Sequence, residues 1–371
     1  MGIYIITLFL LLLFSFLDLR CELSINEKRI MSFILFSILV FQVGLRWKTG
    51  TDWQIYLDNF ENSDDYSGVI LNVLAGFEIG YGTFVFLVRK MTDSYSAFLF
   101  VHAIIYYLLI FSACKKVSPF PYVALLVFYV STMGVLGSNR QLIAVAICLF
   151  SMQYVLDKKP YKFLFLIAIA FLFHSTAILF SIMYILNRRI KENIVIVILV
   201  LSFIIGKTSI PIHIFSILGN SIGGAGESKV SAYTDGASAA LSEHALSLVG
   251  LIRRLVYLFL FLYTSKILQK KLKYYNLIFN GYLFGLAFYF LFSSSLIIMV
   301  NRGSLYFNVL ECFLISSQFL LLKDKLERCY VLIGLFVFCV FLFYQSISAY
   351  DDLFIPYKGI LINQDFDREM H

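Results

Sequence analysis

Twelve long apolar segments follow one another along this chain, and they constrain its fold more than any other feature. Most are roughly 15–25 residues long, enough for a helix to cross about 30 Å of hydrocarbon. Strands of a membrane barrel would instead alternate over about ten residues. The sequence therefore predicts an all-α, polytopic bundle of about ten to twelve transmembrane helices. The segments are 3–19, 30–45, 69–88, 94–113, 120–137, 140–156, 161–186, 192–210, 247–265, 276–299, 303–322 and 329–348.

The composition excludes a soluble protein. Of the 371 residues, 60% are hydrophobic and only 14% are charged, too few to cover a globular surface. We attribute the net charge of +7 to cytoplasmic Lys and Arg, and we expect no nucleic acid partner.

The run 3–17 lacks a basic leader and a small-residue cleavage site, so we expect a retained helix there. The six cysteines lack the spacing of a metal site or a disulfide framework.

Two of the apolar segments differ from ordinary spans. Residues 69–88 contain three glycines and the acid Glu78, and residues 161–186 are long enough for two half-helices around His174. We predict that the first segment lies in or dips into the outer interface and that the second enters the membrane and returns. Ten full spans then remain, with both termini outside. The tight basic clusters, apart from Arg89-Lys90, all face the cytoplasm, as the positive-inside rule requires.

This threading predicts one integral membrane domain over 1–371. Its external parts are the loops 46–68 and 207–246 and the C-terminal tail 351–371, and the stretch 219–246 could act as a lid. If all twelve segments crossed instead, Arg46 and Arg140 would lie on opposite faces of the membrane. The position of these two arginines therefore tests the choice between the threadings.

An anion site is predicted where the apolar run after Ser138 begins. Arg140 and Gln141 stand at the start of this run, where a helix presents unpaired N–H groups and the positive end of its dipole. Arg302, before another apolar run, is predicted to open a second external helix in the same way. Two arginines could clamp a diphosphate with a bidentate geometry that lysine cannot match. No motif for a metal or cofactor is present, so we expect a metal-independent reaction.

Three residues are candidates for proton transfer, and each has a structural alternative. Asp52 could act as a general base or could form an ion pair with Arg46 that holds their loop. Glu78 could accept the proton of an attacking hydroxyl or could pair with Arg46 or Arg140. His174 could be catalytic, or it could be a hydrogen-bonded structural group on an apolar element.

Aromatic residues near these charges also allow two interpretations. Trp47 and Trp53 could anchor the chain at the membrane interface. Alternatively, they could form a platform on which sugars stack.

Short fragments spread along nearly the whole chain resemble the EpsG family of bacterial membrane proteins, which belongs with Wzy-type polymerases. Each fragment is weak alone, but their order and spacing are specific. One departure is Trp53, where the family more often has Tyr. The fragments are Gly44-Leu45-Arg46, Gly50-Thr51-Asp52-Trp53, Tyr56, Phe77-Glu78-Ile79-Gly80-Tyr81, Arg140-Gln141 with Ala144, Phe173-His174 with Ala177, Arg302 with Tyr306-Phe307, and Ile355-Pro356-Tyr357.

The resemblance implies a fold like that of the GT-C polymerases and a repeat-unit polymerisation on the outer face of the bacterial cytoplasmic membrane. A growing glycan on undecaprenyl diphosphate would pass to the non-reducing end of another lipid-linked repeat unit. Membrane lipid, a flippase and a chain-length regulator are the further partners this function implies. The residues expected to bind substrate are Arg46, Trp53, Tyr56, Tyr81, Arg140, Gln141, Arg302 and Tyr357.

Three other functions remain open at this point. A transporter or flippase would also use outward cavities and broken helices, but it should show pseudo-symmetric halves. An O-antigen ligase shares the chemistry and differs in its acceptor. A membrane acyltransferase that uses His174 would need an acyl donor channel and no pair of external arginines.

Overall fold

The computed structural model describes residues 1–222, 248–366 and 368, and every regular element within them is helical. The predicted all-α class is thereby confirmed. The first part of the chain forms α1 (Gly2–Arg20), α2 (Ile25–Gly44), α3 (Trp53–Glu61), α4 (Tyr66–Leu74), α5 (Ile79–Arg89), α6 (Tyr95–Val117), α7 (Pro121–Thr132), α8 (Asn139–Leu156) and α9 (Pro160–Phe173). The rest forms α10 (Met183–Leu186), α11 (Glu192–Gly206), α12 (Ile210–Ile222), α13 (Leu248–Lys271), α14 (Tyr275–Phe292), α15 (Ile297–Gly303), α16 (Leu305–Asn308), α17 (Glu311–Gln318), α18 (Lys325–Ile347) and α19 (Asp351–Phe354).

Six helical stretches are long and apolar enough to cross a membrane, and five shorter apolar helices accompany them in the described part of the chain. α2 and α13 are also 20 and 24 residues long; α2 carries three charged residues in its first turns, and α13 carries Arg253 and Arg254 near its start. Exposed apolar side chains such as Phe9 on α1 and Val337 on α18 suit contact with lipid. The protein is a multi-pass membrane protein. The six stretches are Gly2–Arg20, Tyr95–Val117, Asn139–Leu156, Tyr275–Phe292, Met299–Leu321 and Lys325–Ile347.

The chain divides into two compact units, and the first combines Met1–Ser181 with the C-terminal part from Ile315. Within it α8 packs against α6 and α9, α2 packs against α6, and α1 packs against α7 and α18. Local signals set the helix starts: Ser24 and Glu27 form a capping box before α2, and Pro160 occupies the first turn of α9. The single domain predicted from the sequence stays a prediction.

The segment 69–88 does not cross the first unit. It forms two antiparallel helices, α4 and α5, which are joined by a turn at 75–78 and packed together through Tyr66 and Phe86. At the far end of α5, Arg89 binds Asp64, with 2.7 Å between Nε and Oδ1. The hairpin therefore begins and ends at the same end of the unit, and its position in the outer interface stays a prediction.

The segment 161–186 is broken where the sequence predicts. α9 ends at Phe173, His174 has an extended backbone, and a 3-10 helix follows over Ser175–Ile182. From Ile182 onward the chain belongs to the second unit, so the return of this segment through the membrane stays a prediction.

The second unit is Ile182–Leu314. α14 lies at its centre and packs against α10, α11, α13 and α16. The predicted outer loop 207–246 contains a helix near its start, α12 (Ile210–Ile222), and its external position stays a prediction. Pro211 in the first turn and the apolar residues that follow it favour this helix. The remainder of that loop and most of the predicted lid lie outside the described residues.

Candidate functional site

The loop after α2 and the start of α8 meet in the first unit. Nη2 of Arg46 donates to Oδ1 of Asn139 over 2.6 Å, and Oγ of Ser138 donates to Oδ2 of Asp52 over 3.0 Å. The threading that separates Arg46 from Arg140 across the membrane is therefore wrong. The ion pair considered between Arg46 and Asp52 does not form either, since each has another partner.

Two glycines allow the backbones of these two loops to approach each other closely. Gly50 and Gly137 both have positive φ, +102° and +124°. A Cβ at Gly50 would lie 2.0 Å from the carbonyl oxygen of Leu136, and one at Gly137 would lie 2.8 Å from the amide nitrogen of Thr51. Only glycine allows both this backbone conformation and this contact.

Arg140, in the first turn of α8, is the most connected side chain of the site. Its Nη1 donates to Oε2 of Glu78 over 2.7 Å and to the carbonyl oxygen of Gly76 over 3.1 Å. Its Nε donates to the hydroxyl of Tyr56 over 3.3 Å, and its guanidinium lies 4.4 Å from the ring centre of Phe77. Among the described residues Nη2 has no hydrogen-bond partner. The side chain is 20% exposed, so this last amino group can reach a ligand.

Glu78 links three elements of the first unit. It precedes α5, its Oε2 binds Arg140 on α8, and its Oε1 accepts from the backbone N–H of Ser175 just after α9. His174, the neighbour of Ser175, is buried, and its Nδ1 lies 2.7 Å from Oγ1 of Thr176. The predicted pairing of Glu78 with an arginine is thus observed, with Arg140 as the partner.

Asp52 differs from Glu78 in its surroundings. It is half-buried at the start of α3, and its carboxylate accepts one side-chain hydrogen bond, from Ser138. Trp53, the next residue, is buried under the ammonium group of Lys48, which lies 5.4 Å from the ring centre. Asp52 therefore has acceptor capacity left for a ligand, whereas both oxygens of Glu78 are in use.

The predicted substrate-binding tyrosines lie in different surroundings. Tyr56 and Tyr81 pack edge to face with 5.5 Å between ring centres, and both are buried. Burial raises the pKa of Tyr56, and the positive charge of Arg140 opposes this rise. Tyr357 donates from its hydroxyl to the carbonyl oxygen of Gln42 over 2.6 Å and is buried as well. Its contact fixes the C-terminal segment against α2.

Arg46 is completely buried without a carboxylate partner among the described residues. Its side chain is bound by Asn139 and by the carbonyl oxygen of Val43, and burial lowers its pKa. The C-terminal segment 355–362 packs on the loop that carries Arg46, because Gly359 forms a β-bridge with Arg46. Arg46 thus adds a fixed positive charge behind the start of α8 and has no open face toward a substrate.

The remaining predicted residues are less central. Gln141 is buried in the first turn of α8. Arg302 belongs to the second unit and lies in the last turn of α15, not at a helix start as predicted, although the apolar stretch Met299–Leu321 begins just before it. The clamp formed by Arg140 and Arg302 stays a prediction. Within the described residues, no group of three or more His, Cys, Asp or Glu is arranged to hold a metal ion.

Sequence reasoning missed the residues that connect the site. Asn139 binds Arg46 through its side chain, and its backbone carbonyl lies 2.9 Å from Nε2 of His102 on α6. Ser138 holds Asp52. The one signal available was their position beside Arg140 at a helix start, where polar residues commonly cap.

The fold and this site define a class: a multi-pass helical membrane protein with arginines, two acids and a histidine gathered at one end of its first unit. The chain belongs to the EpsG family, whose model matches residues 29–359, nearly the whole chain. Membership of this family indicates a role of the polysaccharide-polymerase type. The comparison with curated proteins and the comparison with solved structures each found no match.

Proposed function

We propose that the protein is a Wzy-like glycosyltransferase that joins lipid-linked repeat units at the external face of the bacterial cytoplasmic membrane. A glycan on undecaprenyl diphosphate is transferred to the non-reducing end of another lipid-linked repeat unit, and undecaprenyl diphosphate is released. The reaction uses no metal. The family match supports the class of reaction, and the geometry around Arg140 supports the choice of substrate.

The observation that carries this proposal is the arrangement of Arg140. Its Nε and Nη1 are held by Tyr56, Glu78 and Gly76, which fixes the orientation of the guanidinium in the first turn of α8. A departing diphosphate gains negative charge, and a preorganised guanidinium next to a helix N-terminus stabilises that charge. One such contact contributes on the order of 3 kcal/mol, or about a hundredfold in rate.

Asp52 is the group that we assign to accept the proton of the acceptor hydroxyl. Its carboxylate accepts only from Ser138, so a sugar hydroxyl can bind it without displacing another donor. Glu78 would have to release Arg140 or the N–H of Ser175 to do the same. Glu78 and His174 then position the site, Glu78 by orienting Arg140 and His174 by fixing the turn that carries Ser175.

The charges at the two ends of the first unit support an external site. The end opposite Arg140 is defined by contacts of Tyr122 with Lys28, of Arg328 with Phe120, and of Lys325 with Glu22. This end is rich in bases, as cytoplasmic ends of membrane proteins are. The bases there are Arg20, Lys28, Arg29, Lys115, Lys116, Lys158, Lys159, Lys162, Lys323, Lys325 and Arg328.

Glycan profiles of a deletion strain complemented with variants test the proposal. We expect Arg140→Ala to leave single repeats on the final acceptor at normal protein level, because the reaction slows by about a hundredfold. Arg302→Ala should give the same pattern if it forms the second half of the clamp. The matched control is Arg29→Ala, an exposed arginine at the opposite end of the same unit.

The product pattern separates the proposal from its rivals. A lost ligase would leave full-length polymer on the lipid carrier, and a lost flippase would leave lipid-linked repeats inside the cell. A full ladder from Arg140→Ala would overturn the role assigned to Arg140. Either rival pattern in the deletion strain would overturn the polymerase function itself.

A further inference from the structure

Two adjacent arginines, Arg253 and Arg254, lie in the apolar helix α13 of the second unit, and nothing in the proposed reaction uses them. A charged side chain within a membrane helix is costly and is retained when it faces a partner or a ligand. The exposed side of α13 is apolar, with Ile252, Val256 and Phe259 among its residues. The buried residues Tyr257 and Phe261 follow Arg253 at intervals of four residues. At this spacing the arginines lie on the buried side of the helix. Both guanidinium groups therefore belong to the side of α13 that faces the unit.

The surroundings neutralise these two charges incompletely. Arg253 lies 4.0 Å from the buried acid Glu311, measured from Nη2 to Oε1, and its Nε is buried without a hydrogen-bond partner. Arg254 rests on the ring of Tyr289, 4.8 Å from its centre, and its guanidinium has no hydrogen bond to any described residue. Among the described residues, Glu311 faces Arg253 and no carboxylate pairs with Arg254, so donors remain for an anion.

The position of Arg253 and Arg254 along α13 corresponds to the level of the lipid phosphates in the outer leaflet. One end of the unit carries Arg188, Arg189, Lys270 and Lys271, and there Lys266 binds Glu192 over 3.0 Å. By the positive-inside rule this end faces the cytoplasm. Seventeen residues of helix separate Lys270 from Arg253, about 26 Å at the rise of an α-helix. Across about 30 Å of hydrocarbon, this distance brings the pair to the outer boundary of the bilayer.

We propose that Arg253 and Arg254 form a second anion site, which binds the phosphate or diphosphate group of a lipid in the outer leaflet. Paired guanidinium groups suit phosphate oxygens because they donate in bidentate fashion. A polymerase handles two lipid-linked substrates at once, and this site would bind the headgroup of one of them. That choice of lipid rests on the proposed function, whereas the phosphate chemistry rests only on the second unit.

Binding of farnesyl diphosphate, a short prenyl diphosphate, tests the site. The full chain is placed in nanodiscs of phosphatidylcholine, and the dissociation constant is measured by calorimetry. All chains carry Arg140→Ala, so the site of the first unit cannot account for the signal. We expect Arg253→Gln and Arg254→Gln each to weaken binding at least about tenfold, since each removes a charge-assisted contact. Lys266→Gln on the same helix is the matched control and should change affinity less than about twofold.

A variant of the acid separates an anion site from a structural ion pair. Glu311→Gln removes the negative charge that faces the arginines, so we expect farnesyl diphosphate to bind more tightly, by about threefold or more. A structural pair would instead lower the thermal unfolding temperature and leave the affinity unchanged. Arg254→Lys serves where Arg254→Gln fails to fold, and it should still weaken binding because it loses the bidentate geometry.

Competitors distinguish the two sources of the phosphate. Displacement of the probe by phosphatidylglycerol would assign the site to phospholipid headgroups. If phosphatidylglycerol does not displace the probe but a longer prenyl diphosphate does, the site is assigned to the glycan carrier. Unchanged affinity in folded Arg253 and Arg254 variants, or equal competition by farnesol, would overturn the site. A ligase or flippase pattern in the deletion strain would overturn only the proposed function, because this binding assay does not depend on polymerisation.

Discussion

At the scale of single residues, the two acids of the site differ in how much acceptor capacity is already used. Glu78 accepts from Arg140 and from the N–H of Ser175, while Asp52 accepts from Ser138 alone. The sequence identified both acids and gave each two alternatives. It could not decide between them, because the deciding partners stand 62 and 86 residues away along the chain. Hydropathy reports where a helix lies and not which side chains meet at its end.

This difference predicts opposite behaviour of the two isosteric variants. Asp52→Asn keeps an oxygen that can accept from Ser138, so the thermal unfolding temperature should stay constant while polymerisation falls by at least about a hundredfold. Glu78→Gln removes a charge from a mostly buried ion pair, so stability should fall by about 1–3 kcal/mol. Unfolding in detergent and ladder length in cells measure the two effects. A normal ladder from Asp52→Asn would remove Asp52 from the reaction.

At the scale of elements, the site depends on how closely α5 packs against α9. A Cβ added at Gly80 would lie 2.8 Å from the carbonyl oxygen of Leu172, so the helices touch through the glycine. Composition predicted the breaks on both sides of this contact, because glycines interrupt 69–88 and His174 interrupts 161–186. It did not predict that these breaks would face each other. Sequence periodicity indicates local secondary structure and does not indicate which distant helices come into contact.

A pair of glycine variants tests this packing. Gly80→Ala should push α5 away from α9 and loosen the bond between Glu78 and Ser175, so we expect shorter glycan chains and a lower unfolding temperature. Gly334→Ala on α18 is the control, because a Cβ there meets nothing within 4 Å. In a helix this control should be neutral or stabilising by up to about 1 kcal/mol. Equal behaviour of both variants would show that the contact at Gly80 does not hold the site.

At the scale of the whole molecule, the sequence predicted the class well and the position of particular side chains poorly. The all-helical fold and the family were both available from apolar length, composition and short fragments. The buried state of Arg46 and Tyr357 was not available, because an arginine or tyrosine next to a span looks the same whether it faces water or another loop. Burial is a property of the assembled fold and not of the segment.

Thiol labelling of intact cells tests the orientation of the first unit. Cys21 is the one exposed cysteine among the six, and it lies at the end opposite Arg140. We expect a membrane-impermeant maleimide to modify it only after lysis. In a Cys21→Ser chain, Glu61→Cys at the end of α3 should react in intact cells, because Glu61 is exposed at the end that carries the site. The reverse pattern would place the site in the cytoplasm and contradict the proposed function.

The contact between Gly50 and Gly137 also has a mechanical consequence. Because no side chain separates the two loops, a displacement of one presses directly on the backbone of the other. The loop that leads to Asp52 and the loop that leads to Arg140 are therefore expected to move together. In the proposed reaction, a movement of Arg140 on release of the lipid diphosphate would therefore also displace Asp52, the group assigned to the next acceptor hydroxyl.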